Sequence, residues 1–543
     1  MRLGLLSVAL CAGLPLASFA QDARPYRPGI DVLDYALIID LPDTGSTIKG
    51  DATLTVKRVA RVDSLVLDLR ALKVTRLTLD DRVRKYVRTD STIAISLPRG
   101  DSGHYRVRVI YGGKVTDGLI ARRDSARRWT YFGDNWPNRA RFWIPSVDHP
   151  SDKATVTWTV RGPRGRLVVA NGRLLETRTS GKGKRARTTT RWRESQPIPP
   201  YLMVIAAGPL VKTDLGQTAC GLTDIGRCVA QSVYTAPEQK KAAPGNFAKA
   251  GEIVKYFASL VAPFPYEKLA HVQSATRFGG MENASAIFYS DAPFRQRAGT
   301  SEGTIAHEIA HQWFGDAVTE RDWPHLWLSE GFATYFAALW AQKAHGDSAF
   351  HAELTKIRAH ILDDSLVVPT HAVIDTTETN LFHLLNANSY EKGGFVLHML
   401  RGEVGDSAFF QGVRAYYRQH KHGTALTSDL QTALEAASSR RLGSFFDQWL
   451  NRPGFPEIDV SWSTDSLGKS FLLSVTQTGK HGLFAFPLRL GLADSTGVVR
   501  RVEVGIPAQT ETKVELPISA PVQQVEADPD VQLLARITVK KSG

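Results

Sequence analysis

Cysteine is scarce in this chain: of three in 543 residues, Cys11 falls in the first twenty, leaving only Cys220 and Cys228. That excludes a disulfide framework as the source of stability. The pair has seven residues between its members, with Gly221 and Gly226 to permit a tight turn. In an oxidising compartment it is expected to close a small-loop disulfide, with two free thiols as the alternative. Long apolar runs are also missing. Beyond residue 20 no stretch approaches the roughly 20 residues of a bilayer span, which excludes a transmembrane helix in the mature chain. Repeats, heptads and low-complexity tracts are absent too, which argues against solenoid, coiled-coil and disordered architectures. Finally, the basic charge lacks clustering. The net charge is +13 and the pI near 9.5, yet the cations neither stripe a helix nor interleave with aromatics, so no nucleic-acid partner is expected. The densest run, Lys182 to Arg187 after Ser180-Gly181, reads as a solvated hairpin tip.

What is present begins with a leader. Arg2, the apolar run Leu3–Ala17 and Ser18-Phe19-Ala20 have the layout of a signal peptide, so residues 1–20 are expected to be removed and the product to be exported, periplasmic or secreted. The remainder exceeds the roughly 250–300 residues at which single cores stop growing, so several domains are expected. Apolar and polar residues alternate with period two in Ala52–Val56, Ser64–Leu69 and His104–Ile110, marking a β domain over 21–212. Helical spacing takes over past Pro244, in Phe247–Leu260, Gly303–Phe314 and Trp327–Ala344, giving a mainly helical domain over 213–455. Strand texture returns after Pro453-Gly454-Phe455-Pro456, in Ser470–Val475 and Phe484–Leu492, and defines a small β-sandwich-like domain over 456–543. The expected class is multidomain α+β.

The chemistry is concentrated in His307-Glu308-Ile309-Ala310-His311. Residues four apart share a helix face, so both imidazoles reach one ion while Glu308 addresses a water beside it. Thr300 or Ser301 is positioned to cap this helix. Glu330, in Trp327-Leu328-Ser329-Glu330-Gly331, supplies a carboxylate from the next helix. A His, His, Glu set leaves one tetrahedral position open, as a catalytic zinc requires. Glu320 and His325 compete as ligands, but fall in the expected loop, where a rigid site is harder to build.

These segments resemble the gluzincin zinc metallo-aminopeptidases, the family of alanyl aminopeptidase and leukotriene hydrolase, over roughly residues 130 to 456. Gly279-Gly280-Met281-Glu282-Asn283 is similar to the family's Gly-Ala-Met-Glu-Asn exopeptidase motif, with Gly280 in place of Ala. Tyr390-Glu391-Lys392-Gly393 resembles the segment that carries its catalytic tyrosine. The resemblance implies a thermolysin-like catalytic domain, one zinc ion on His307, His311 and Glu330, Glu308 as general base and Tyr390 as oxyanion donor. It also implies that Glu282 holds the ammonium of peptides with a free amino end. Ala140-Arg141 and Asp148 with Pro150 match a further segment, from which Ile144 and His149 depart. Many relatives send an acid or amide to the substrate amine from just upstream of that pair, and Asp134 is its counterpart here. A long helical carboxyl-terminal domain is replaced by the β segment after Pro456, which implies a more open cleft. Two rival readings use the same residues: a thermolysin-type endopeptidase, and an idle scaffold that keeps only the fold. Epoxide hydrolysis, suggested by one branch of the family, is more remote.

Overall fold

The computed structural model describes residues 26–218, 228–297, 299–466 and 468–542. The expected leader and Cys220 lie outside them; Cys228 is disulfide-bonded.

The amino-terminal part is built on an eight-stranded sheet. At its centre Ile30–Asp40 pairs antiparallel with Thr47–Arg58 and parallel with Ala154–Pro163. The period-two pattern is spent as its physics requires: Ala52, Leu54 and Val56 are fully buried while Thr55 and Lys57 face solvent. The basic run 182–187 joins Arg173–Ser180 to Arg187–Ile198 at the tip of a hairpin. A four-stranded sheet, Leu167–Ala170, Ile205–Gly208, Trp129–Gly133 and Leu119–Arg123, lies between this part and the next.

The middle part opens with strands, which the helical texture past Pro244 does not show. Val211–Thr218 pairs with Val229–Thr235, and the sheet continues through Lys268–Gln273 and Ala286–Tyr289 to Gly280–Met281 at its edge. A division at 212 therefore cuts a strand, and the break falls between Gly208 and Val211. Among the described residues eight helices of eight or more residues follow: α1 Ala250–Leu260, α2 Glu302–His311, α3 Trp327–His345, α4 Asp347–Asp363, α5 Gly393–Val404, α6 Asp406–His420, α7 Thr427–Ser438 and α8 Gly443–Leu450. Ser301 occupies the N-cap of α2, but its hydroxyl bonds Gln296 Oε1 at 2.8 Å and caps nothing. Helix α2 exists because Ile305, Ala306, Ile309 and Ala310 bury one side. Just beyond it Phe314 stacks on Phe332 of α3 with ring centroids 4.1 Å apart.

From Glu457 the chain forms a four-stranded and a three-stranded sheet, with Val460, Val475, Leu488 and Leu490 fully buried. Arg358 of α4 pairs with buried Asp528 at 2.6 Å, tying this part to the helices. No helix among the described residues is long and apolar enough to cross a membrane.

Candidate functional site

Helix α2 places His307 and His311 one turn apart, and their Nε2 atoms lie 3.1 Å from each other. Glu330 arrives in the first turn of α3, where the positive end of the helix dipole favours a carboxylate. Its Oε2 is 3.3 Å from each of those nitrogens. Three donor atoms at such separations outline one face of a tetrahedron whose edges are about 3.3 Å, as zinc bonds of about 2.0–2.1 Å require. Oε2 of Glu330 is buried and makes no hydrogen bond, so a cation is the partner this corner lacks. His311 Nδ1 is 3.1 Å from the carbonyl of Phe314, which only accepts. That nitrogen therefore carries the proton, and the lone pair of Nε2 points to the corner. The donor set fits zinc.

Around this corner acids are packed unusually densely. Glu282, Glu308 and His311 each bring an oxygen or nitrogen within 4.8 Å of the others. Burial pushes Glu308 well above the ordinary carboxylate range. Burial also lifts Glu282 to about 7, against the pull of His311. Glu330 feels the same burial, but His311 and His307 overcome it and hold the carboxyl at about 2. Burial works against protonation of His311, yet Glu330 and Glu282 outweigh it and push the imidazole up. Such a field is that of a cation site.

Tyr390 sits in a π-helical segment, Asn388–Lys392, leading into α5. Its ring stacks on His307 with centroids 6.0 Å apart, and burial pushes the phenol well up, so it keeps its proton. Glycines make this approach possible: a Cβ on Gly331 would lie 2.7 Å from the backbone carbon of Gly393, so α3 and α5 cross in backbone contact beside Glu330. Gly280 serves likewise. A Cβ there would overlap the carboxylate of Glu308, whose Oε1 fills the volume that Ala would take.

The Glu282 segment is held by a residue to which the sequence drew no attention. Buried Gln312, next to His311, donates from Nε2 to the carbonyl of Glu282 at 2.7 Å and to Asp316 Oδ2 at 2.8 Å. Its Oε1 accepts from the backbone N–H of Ser285 at 2.8 Å. A fully polar side chain at the apolar end of α2 is the signal that marks it.

A cavity of about 800 Å³ joins these groups. Gly279, Gly280, Met281 and Glu282 line it, with His307, Glu308, His311, Glu330 and Tyr390. Asn283 does not; it is buried behind the strand, 3.4 Å from the carbonyl of Met281. Asp134 does not reach the cavity either. Its carboxylate is buried and taken by Arg139 at 2.8 Å and Thr276 at 3.1 Å, so the resemblance misassigned it; the amino-terminal part contributes Trp136 instead. Glu320 is buried on a short strand beside Ala425, and His325 bonds Thr427, so neither joins the cluster.

Known proteins resemble this chain over most of its length. The family model of the peptidase family M1 domain matches residues 247–449, and that of the peptidase M1 N-terminal domain matches 32–202. Human glutamyl aminopeptidase is 26% identical over 466 residues, covering 79% of this chain and 47% of that protein. Probable aminopeptidase 2 of Sulfurisphaera tokodaii is 25% identical over 452 residues, covering 79% and 55%. The chain thus spans about half the length of these curated relatives. Among solved structures, an M1 zinc metallopeptidase from Deinococcus radiodurans is 26% identical with a TM-score of 0.66, covering 78% of this chain and 93% of that one. Legionella pneumophila aminopeptidase A, in complex with aspartic acid, shares the fold at a TM-score of 0.80 and 19% identity, over 95% of this chain and 60% of that one.

Proposed function

The chain belongs to peptidase family M1, and on that premise we propose that it is a zinc aminopeptidase releasing the first residue of peptides with a free amino end. The observation that carries this reading is the placement of Glu282 and Glu308 within 4.8 Å of His311. One acid is thereby available for proton transfer and another for a substrate ammonium. The Deinococcus enzyme's structure bound to a Tyr-Ser-Ala substrate, at 26% identity, supports a peptide as the substrate.

A zinc ion held by His307, His311 and Glu330 supplies Lewis acidity toward water and the scissile carbonyl. Glu308 takes a proton from the attacking water and returns it to the leaving nitrogen, a task suited to a carboxyl whose proton affinity burial has raised. Tyr390, neutral and buried beside His307, donates to the carbonyl oxygen as negative charge builds there. Glu282 accepts hydrogen bonds from the ammonium, and Gln312 fixes the carbonyl behind it.

The endopeptidase reading needs no amine anchor, so acetylation decides between the two. A peptide and its N-acetylated form are compared with and without a chelator. Cleavage of the free peptide alone, lost with the chelator, is expected; equal cleavage of both forms overturns the aminopeptidase. Export is proposed on the strength of the Leu3–Ala17 run. Amino-terminal sequencing of the protein recovered outside the cytoplasm is expected to begin at Gln21.

A further inference from the structure

We propose that the cavity selects peptides whose first residue is apolar or aromatic and rejects those that begin with Asp or Glu. This rests on the aminopeptidase reading above and names its substrate class.

The first side chain branches from the atom between the ammonium and the scissile carbonyl, so it lies beside Glu282 and short of the metal corner. The apolar groups that line the cavity with Glu282 include Phe278 and Met281, close to it along the chain, and Trp136 and Leu385. Trp136 meets Phe278 edge to face with centroids 6.0 Å apart. It meets Phe382, three residues before Leu385, at 5.6 Å. These contacts bring the 381–385 turn and the amino-terminal part together as one continuous apolar wall. Burial of an apolar side chain against it is favourable in proportion to area.

Nothing on this wall pairs with a carboxylate. Lys356 of α4 is the one Lys or Arg among the cavity-lining residues, and it is paired with Glu353 at 3.8 Å. The two guanidiniums behind the wall are already engaged. Arg139 holds Asp134 and Asp117, at 2.8 and 2.7 Å, and Arg277 lies 3.4 and 3.5 Å from the same two acids. An acidic first side chain would instead lie beside Glu282 with no cation on the wall to meet it, and burying an unpaired carboxylate is strongly disfavoured.

The test uses the full zinc-loaded chain and chromogenic amides of Leu, Phe, Ala and Glu. We expect kcat/KM for Leu and Phe to exceed that for Glu by at least about a hundredfold. Leu385 is only half-buried, and Leu385→Arg is expected to raise the Glu to Leu ratio at least about tenfold by placing a cation on the wall. A readout independent of turnover is protection against thermal unfolding, which free leucine is expected to confer and free glutamate is not. Hydrolysis of the Glu amide at a rate near that of Leu, or an unchanged ratio in the folded Leu385→Arg variant, overturns the inference while leaving the aminopeptidase standing. Failure to hydrolyse any of the four amides overturns both.

Discussion

Glu308 and Gln312 flank His311 at opposite ends of one chemical task. Glu308 lines the cavity, where the proposed mechanism sets the attacking water. Gln312 is fully buried and meets only protein. Glu308→Gln removes the proton acceptor but none of the three metal-binding groups. The expected result is full zinc content with turnover reduced at least about a hundredfold; metal analysis beside steady-state kinetics checks it. Gln312→Ala leaves the zinc ligands in place but frees the carbonyl of Glu282 and the N–H of Ser285. Here KM for free-amine substrates is expected to rise by about tenfold or more while zinc affinity holds, since the loss is one of positioning. A parallel fall in zinc affinity would show instead that α2 itself had come apart.

At the scale of elements, the crossing of α3 and α5 decides where Tyr390 stands. Gly331→Ala sets a methyl group against backbone that cannot swing aside. The expected cost is about 1–3 kcal/mol of stability, and turnover falls further than stability does because the π-helical segment that carries Tyr390 leads directly into α5. Urea unfolding and kinetics on the same variant check both halves. Elements of this kind divide into those a sequence declares and those it hides. The helical spacing around His307 and around Trp327 placed the ends of α2 and α3 to within three residues, although α3, unlike α2, is buried on nearly all sides as far as Trp340. The strand at 211–218 went unread because it lies across the division expected at 212. The metal-binding trio was legible for the same reason of spacing. Asp134 was misassigned because a sequence does not show that Arg139 and Thr276 already claim its carboxylate. Gln312 and Trp136 act through contacts with residues distant in the chain, which no local pattern announces.

Across the whole molecule, the metal corner draws charge from two helices and sets it beside Glu282. Burial raises the cost of ionising Glu282, Glu308 and Glu320, and the charge of Glu330 adds to it. Zinc binds only the folded arrangement, so stripping it is expected to lower the midpoint of thermal unfolding. Stabilisation of about 4 kcal/mol attends a ligand at a thousand times its dissociation constant. Calorimetry before chelation, after it and after zinc is restored checks this, and an unchanged midpoint would mean the corner holds no ion in solution.

Trp136 and the zinc helix stand on opposite sides of the break between Gly208 and Val211, yet they wall one chamber. During synthesis the tryptophan side is made first and waits for its counterpart. A partly made polypeptide therefore owns an unfinished compartment, whose wall beside Phe278 stays open until the two halves have docked.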